Sequence, residues 1–475
     1  MKKVALCVFA LCLLGKLCAK NNEIANIKFS DLKKSYAVKE DGKKITLNGY
    51  GSFVEFDVTV KNSAEGVLVL SMMNDSENAS GNNTAILKVE CDGNYLNTQK
   101  ILYSKDFKDV SVNRVISLDK GTHNFKLSAP NGGFTLTKIS FVAALGDILQ
   151  TIAHPPLVNP NATKETKQLY EYLCSLQGKA ILSGQQVFDG NMEINVINET
   201  TGKYPVIMGI DLINYSPAFV ERGATGNVIR RAKAWAKQGG IISCCWHWCA
   251  PKDLIDEDKL EMRWYDGYRT KATKFDFSKA IKDHSSEEYK LIIRDIDAIA
   301  VQLKALADAN IPVLWRPLHE ASGGWFWWGS KGSANYVELY KILYERLVNY
   351  HKLNNLIWVW NAQSDKWYPG DEYVDVLSYD TYPGKKIYGI FNSELQMIQS
   401  VTSKAKLCAL SENGPLPDVN KLSQINGLWS WFCTWNGEFV IDGNGNFSEE
   451  YTDLKSFKSF YNNDYLITRD EIKLP

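Results

Sequence analysis

The chain has 475 residues, 45% of them hydrophobic and 23% charged, a balance typical of globular proteins too long for one small domain. Lysine plus arginine and aspartate plus glutamate both number 54, so the formal net charge is zero. That neutrality excludes a whole-chain electrostatic case for nucleic acid or an anionic membrane, and no internal repeat suggests an array.

At the start, Lys2 and Lys3 precede an apolar run from Val4 to Leu14, and Leu17-Cys18-Ala19 supplies a cleavage site. Residues 1–19 therefore read as an export signal, too short to span a bilayer as a mature helix. A periplasmic or secreted protein is expected. Cys18 is a possible lipid anchor, although Lys16-Leu17 fits a lipoprotein signal poorly. No later run is apolar enough for a transmembrane helix. Three of the 10 cysteines fall in the signal. The odd remainder sits mostly in predicted barrel strands and does not make a disulfide framework.

Residues 24–145 carry a β pattern. Apolar and polar residues alternate over Ser52 to Val60, Gly66 to Met72, Thr84 to Glu90, Ser111 to Ser117, His123 to Ser128 and Phe134 to Phe141. Turn clusters such as Lys61-Asn-Ser, Asp92-Gly-Asn and Asn131-Gly-Gly separate them, so the prediction is an antiparallel β-sandwich. Three pieces, Gly51-Ser-Phe-Val-Glu-Phe-Asp-Val, Leu118-Asp-Lys-Gly-Thr-His-Asn-Phe-Lys-Leu and Gly133-Phe-Thr-Leu-Thr-Lys-Ile-Ser-Phe, give this segment its family likeness. It resembles the carbohydrate-binding modules of family 35, which are jelly rolls. It lacks the early acidic pair that usually helps hold calcium there. Every tryptophan lies at or after Trp235, so a sugar platform on this domain would use Tyr50, Tyr95 or Tyr103.

Residues 146–161, with His154-Pro-Pro and Asn159-Pro160, read as a linker. From residue 162 onward, amphipathic helices (Thr163 to Leu176, Ala224 to Gln238, Glu287 to Ala309, Ala334 to His351) alternate with short apolar strands. The strands are Lys179 to Ser183, Tyr204 to Ile210, Gly240 to Trp246, Ile311 to Arg316, Asn355 to Trp360, Val374 to Ser378, Lys406 to Leu410 and Gly427 to Trp431. Eight strands apolar on both faces predict an α/β fold, a (β/α)8 TIM barrel.

Chemistry in such a barrel collects at the C-terminal ends of its strands. Those ends carry Gln185 and Gln186, Asp211, His247, His319 with Glu320, Trp360, Asp380 with Tyr382, Glu412, and Trp435. The densest stretch is Leu314 to Gly329, where Arg316, His319 and Glu320 follow a buried strand and three indoles follow two glycines. Glu320 on strand four and Glu412 on strand seven face each other across the mouth. Two carboxyls among many indoles are the equipment of glycoside hydrolysis, about 5–5.5 Å apart in a retaining enzyme and wider in an inverting one. The Cys245-Trp-His247-Trp-Cys249 spacing lacks a second ligand pair and is not read as zinc. Asp211 caps a helix or serves the site, with neither reading favoured. Trp358 is assigned to the core, facing away from Trp360.

The motif Trp315-Arg-Pro-Leu-His-Glu320 followed by Trp325-Phe-Trp-Trp-Gly329 resembles glycoside hydrolase family 26, the β-mannanase family, over roughly Gln177 to Ile441. The resemblance implies Glu320 as acid/base and Glu412 as nucleophile. It places His247, His319, Trp325, Trp360, Asp380, Tyr382, Trp435 and Arg316 around the substrate, with Trp325, Trp360 and Trp435 as stacking walls. The acid needs a raised pKa, which apolar walls and the other carboxylate supply. Tyr382 and Arg316 are expected to hydrogen-bond the nucleophile. The expected enzyme is a monomeric retaining endo-β-1,4-mannanase acting on mannan, glucomannan or galactomannan, with no metal or organic cofactor. A β-glucanase or xylanase of the same fold stays open, as does a non-catalytic glycan-binding protein.

Overall fold

The computed structural model describes residues 23–74, 84–102, 104–112, 116–143, 154–188, 190–424 and 427–472. The leader with Cys18, Tyr103 and residues 146–153 of the expected linker lie outside the described residues.

The first unit is built from two antiparallel sheets. In one, Ile116–Leu118, Ala64–Asn74, Phe134–Ala143, Lys44–Leu47 and Val38–Asp41 lie in that order, with Glu23–Ile27 and Ser104–Ser111 paired alongside. The other runs Lys34–Tyr36, Ser52–Val60, Gly121–Asn131, Thr84–Cys91, Asn94–Leu102. The alternation that predicted these strands is the alternation of burial: Val54, Phe56 and Val58 of one sheet share a core with Leu68, Leu70 and Phe141 of the other. The expected strand from Ser111 to Ser117 is not one element. One strand ends at Ser111 and the next begins at Ile116. The sequence reading also omitted short charged strands such as Lys34–Tyr36 and Val38–Asp41, which are too polar to show a period. Tyr50 and Tyr95 are both exposed.

The second unit is an eight-stranded parallel barrel. Its strands are β1 (Gly184–Gln186), β2 (Ile207–Asp211), β3 (Ile241–Cys245), β4 (Val313–Arg316), β5 (Leu356–Trp360), β6 (Val376–Thr381), β7 (Leu407–Asn413) and β8 (Trp429–Thr434). Each pairs with the next and β1 closes on β8 through Gln185 and Thr434. Burial of every residue in β3, β4, β5, β6, β7 and β8 explains why these strands read as continuous apolar runs. Leu314, Ile357, Val359, Leu407 and Trp431 belong to one buried cluster, joined by Leu169, Tyr170 and Leu173 of the Lys164–Leu176 helix. Helix starts follow capping chemistry: the Thr163 side chain accepts from Thr166 N–H, and Ser286 accepts from Tyr289 N–H ahead of Glu287 and Glu288. The stretch expected as one helix to His351 is α-helical over Ser333–Tyr344 and π-helical over Glu345–Tyr350.

Two details position the mouth. Pairing of Asp211 with Cys245, and of Cys245 with Arg316, sets three strand ends at one height. Between β6 and β7 the register slips by one: Tyr379 faces Leu410 but Asp380 faces Glu412. This bulge swings Glu412 beside Asp380.

The described cysteines (Cys91, Cys174, Cys244, Cys245, Cys249, Cys408 and Cys433) are all free thiols. Among the described residues no helix is long and apolar enough to cross a membrane.

Barrel closure depends on Gly184, where an added Cβ would stand 2.5 Å from the Phe432 carbonyl oxygen. Gly184→Ala should therefore destabilise the chain by about 1–3 kcal/mol, read as a lowered thermal midpoint, whereas Gly443→Ala, which meets nothing within 4 Å, should leave it unchanged.

Candidate active site

The site is built outward from Arg316, the last residue of β4 and fully buried. Its guanidinium donates to Asp380 Oδ2 at 2.9 Å and, through the other terminal nitrogen, to Glu412 Oε1. Burial opposes this charge, but the two carboxylates outweigh it and keep the guanidinium protonated. The second oxygen of Glu412 accepts from the Tyr382 hydroxyl at 2.6 Å. Burial and the nearby carboxylates push that phenol well above its usual range, so it remains a donor. Tyr382 as a whole is 44% exposed, its ring reaching solvent while its hydroxyl lies in the cluster.

Glu320 lies four residues past β4, in the left-handed region at φ 53°, as does Leu318 at φ 51°. The segment is pinned by Trp328, whose indole N–H donates to the His319 carbonyl at 2.9 Å. Oxygens of Glu320, Asp380 and Glu412 all lie within 4.8 Å of one another. Burial, reinforced by the charge of Glu412, raises the Glu320 carboxyl to about 7. The Trp325 indole N–H, 2.9 Å from Glu320 Oε2, acts in the opposite direction. Gly323 is what lets that indole fold back, since a Cβ there would sit 2.0 Å from the ring.

A second group lies beside the acids. The Asp211 carboxylate is 2.5 Å from His247 Nδ1 and also accepts the His247 backbone N–H. Burial opposes a charged His247, yet Asp211 and Glu412 raise it above its ordinary value. His319 moves the other way, well below, because burial, Arg316 and His247 all disfavour its charge. The two Nε2 atoms are 3.2 Å apart, a geometry in which charged His247 donates and neutral His319 accepts. His319 Nδ1 has no protein partner. Tyr268, Phe326 and Trp435 surround the His247 ring at 4.9, 5.3 and 6.0 Å. Its loop is held on one side by Trp246 N–H on Ser216 and on the other by Trp248 N–H on Asp295.

Glu320, Glu412, His247, His319, Trp325, Asp380, Tyr382 and Trp435 thus come together at one end of the barrel. Two sequence assignments need correction. Trp360 is fully buried, donates its indole N–H to the Trp367 carbonyl at 3.1 Å and packs on Tyr368, so it does not wall a cleft. Residues two apart on a strand share a face, and Trp358 packs outward on Tyr340 and Tyr344. Trp360 follows it, and Asn361 takes the position at the mouth. Arg316 was placed beside the substrate, but it lies beneath the acids with both ends of its guanidinium occupied. The sequence reading also missed Asn361, and it left Asp211 undecided between a cap and a site role. Asp211 does both, accepting Ile213 N–H at 2.9 Å as well as holding His247.

Of the three trios with the donor types of a metal site among the described residues, Cys91, Asp92 and His123 lie in the first unit and the other two at the barrel mouth. In Glu320, Asp380 and Glu412 the cation is already Arg316. In Asp211, Cys245 and His247 the imidazole Nδ1 is engaged by Asp211 and burial pushes the thiol far up.

Residues 158–471 match the profile of glycosyl hydrolase family 26. The mannan endo-1,4-β-mannosidase of Thermothelomyces thermophilus is 41% identical over 367 residues, covering 77% of this chain and 73% of that protein. The crystal structure of the Podospora anserina GH26-CBM35 β-(1,4)-mannanase superposes with a TM-score of 0.67 at 33% identity, over 95% of this chain and 99% of that one. A ruminal GH26 endo-β-1,4-mannanase aligns with a TM-score of 0.66 at 28% identity, over 96% and 95%. With the paired glutamates, the barrel and the profile in agreement, the chain belongs to glycosyl hydrolase family 26.

Proposed function

We propose that this chain is a retaining endo-β-1,4-mannanase that cleaves the main chain of mannan, glucomannan or galactomannan by double displacement. The observation that carries the proposal is the approach of the Glu320 and Glu412 oxygens to within 4.8 Å. So close an approach of the nearest oxygens favours the separation of about 5–5.5 Å of a retaining enzyme over the wider one of an inverting enzyme. The activity of the relatives supports mannan as the substrate.

Glu412 attacks the anomeric carbon, and Arg316 and Tyr382 fix both of its oxygens for that attack. As the glycosidic bond breaks, Glu320 gives its proton to the departing oxygen, and a glycosyl ester on Glu412 results. Glu320, now ionised, takes a proton from water, which attacks the same carbon and releases Glu412. Trp325 offers its ring face to the sugar on the leaving side while its N–H steadies Glu320. The leader-like residues 1–19 support an exported enzyme.

Three outcomes test this. Glu320→Ala should lower kcat on mannan by about 10²–10⁴ and Glu412→Ala should abolish turnover; variants that process mannan like the parent would leave only a glycan-binding protein. Reducing-end release should be far greater from mannan than from mixed-linkage β-glucan, and equal release would overturn the substrate. A Glu320 raised to about 7 must be protonated to act, so kcat/KM should fall as pH rises through that region. Trp325→Phe removes a donor that favours the ionised form, so its alkaline limb should move upward by about one unit, a hydrogen bond to a charged group contributing about 1.5 kcal/mol. Tyr382→Phe should cost about 10- to 100-fold in kcat on the same ground.

A further inference from the structure

Asn361 follows β5 directly and is fully buried. Its side-chain nitrogen donates to Asp380 Oδ1 and to Ser378 Oγ, both at 2.9 Å. Its backbone carbonyl accepts the Glu320 N–H at 2.7 Å, with the side-chain oxygen 3.3 Å from the same hydrogen-bond donor. Asp380 in turn holds Arg316, and Arg316 holds Glu412. A continuous polar chain therefore runs Glu412, Arg316, Asp380, Asn361, Glu320, and Asn361 is the one member without an ionisable group.

Glu320 needs such a tether. A non-glycine residue in the left-handed region costs on the order of 1–3 kcal/mol and persists only where its surroundings over-determine it. The Glu320 backbone has two such conformations within three residues, and its amide is captured by Asn361. The Asn361 carbonyl is in turn immobilised by the two side-chain bonds to β6. An aspartate at this position would set a carboxylate against Asp380. An alanine would leave Asp380 Oδ1 and Ser378 with one donor fewer. An amide supplies a neutral donor and acceptor together.

We propose that Asn361 is the positioning residue that sets the Glu320 carboxyl against the leaving oxygen, by referring the acid/base backbone to the same β6 carboxylate that orients the nucleophile. This rests on the acid/base reading of Glu320 given above. Asn361 acts on protonation of the leaving group and leaves the nucleophile's two donors in place.

The test separates those steps by leaving group, using kcat/KM on mannan and on 2,4-dinitrophenyl β-mannobioside, whose phenolate departs without a proton. Glu320→Ala is the control: it should lose activity on mannan and keep it on the aryl substrate. Equal losses there would sink the acid/base reading itself. With the control as expected, Asn361→Ala should lose about 100-fold on mannan, the scale of a misplacement near 1 Å, and at most a few-fold on the aryl substrate. A burst of dinitrophenolate should also appear, because water attack needs the same Glu320. Should the alanine variant fail to fold, Asn361→Asp breaks the same link to Asp380 in an isosteric side chain and should give the same split. The added carboxyl should also move the alkaline limb upward. Equal losses on both substrates, or none on mannan, in a folded Asn361 variant would overturn the role.

Discussion

One guanidinium among three carboxyls is the constraint from which the rest of the site follows. Arg316 is fully buried and engages Asp380 and Glu412 at once. A buried arginine without both partners would be severely destabilising, and the partners without it would repel each other. Two of the three acids thereby bond the guanidinium, and the third, Glu320, has no cation of its own. It is left with an indole N–H and a charged neighbour within 4.8 Å. Moving its pKa from 4.5 to about 7 corresponds to roughly 3 kcal/mol. Two unit charges about 5 Å apart at an effective dielectric near 20 repel by a similar amount. Burial and the Glu412 charge are therefore each large enough to matter, and Arg316 returns part of the shift. Asp380 is also raised, by burial first, against the pull of Arg316.

The barrel delivers this arrangement through local departures from regularity. In an unbroken β6–β7 register Asp380 would face Ser411, and the carboxylate of Glu412 would point to the other side of the sheet. The bulge corrects that by one residue. On the opposite wall, left-handed conformations at Leu318 and Glu320 turn the chain back sharply enough for Trp325 to reach the acid it follows. Of the three indoles after Glu320, two are spent on holding this turn. Trp328 grips the His319 carbonyl and Trp327 grips the Trp248 carbonyl at 2.6 Å, so the Glu320 loop and the His247 loop are tied to each other.

What could be read from residues alone was whatever periodicity and strand ends encode. Eight buried runs count out a barrel, and Glu320 and Glu412 fall at the ends of the fourth and seventh. Orientation within a strand was less legible. Trp360 looked like a wall because it is large, aromatic and near a strand end, yet parity with Trp358 turns it outward and gives the mouth to Asn361. Asn361 carried no signal, because an amide after a β-strand is equally often a turn residue. Asp211 was ambiguous for a related reason: a carboxylate that caps a turn and one that orients an imidazole look identical in sequence, and here one side chain does both. The short edge strands of the sandwich were missed because charged edges suppress the alternation that identifies a strand.

The histidines complete the electrostatics. The two rings are pulled in opposite directions: Asp211 and Glu412 raise His247 against its burial, whereas burial, Arg316 and His247 lower His319. An oxocarbenium-like transition state develops positive charge at the anomeric carbon, which a further cation beside it would oppose. The pKa of His319 is depressed by burial and by the cations on either side, which keeps that further charge out of the cluster. His247 is drawn the other way by Asp211, on the next strand and at the same height, whose carboxyl lies 2.5 Å from its Nδ1.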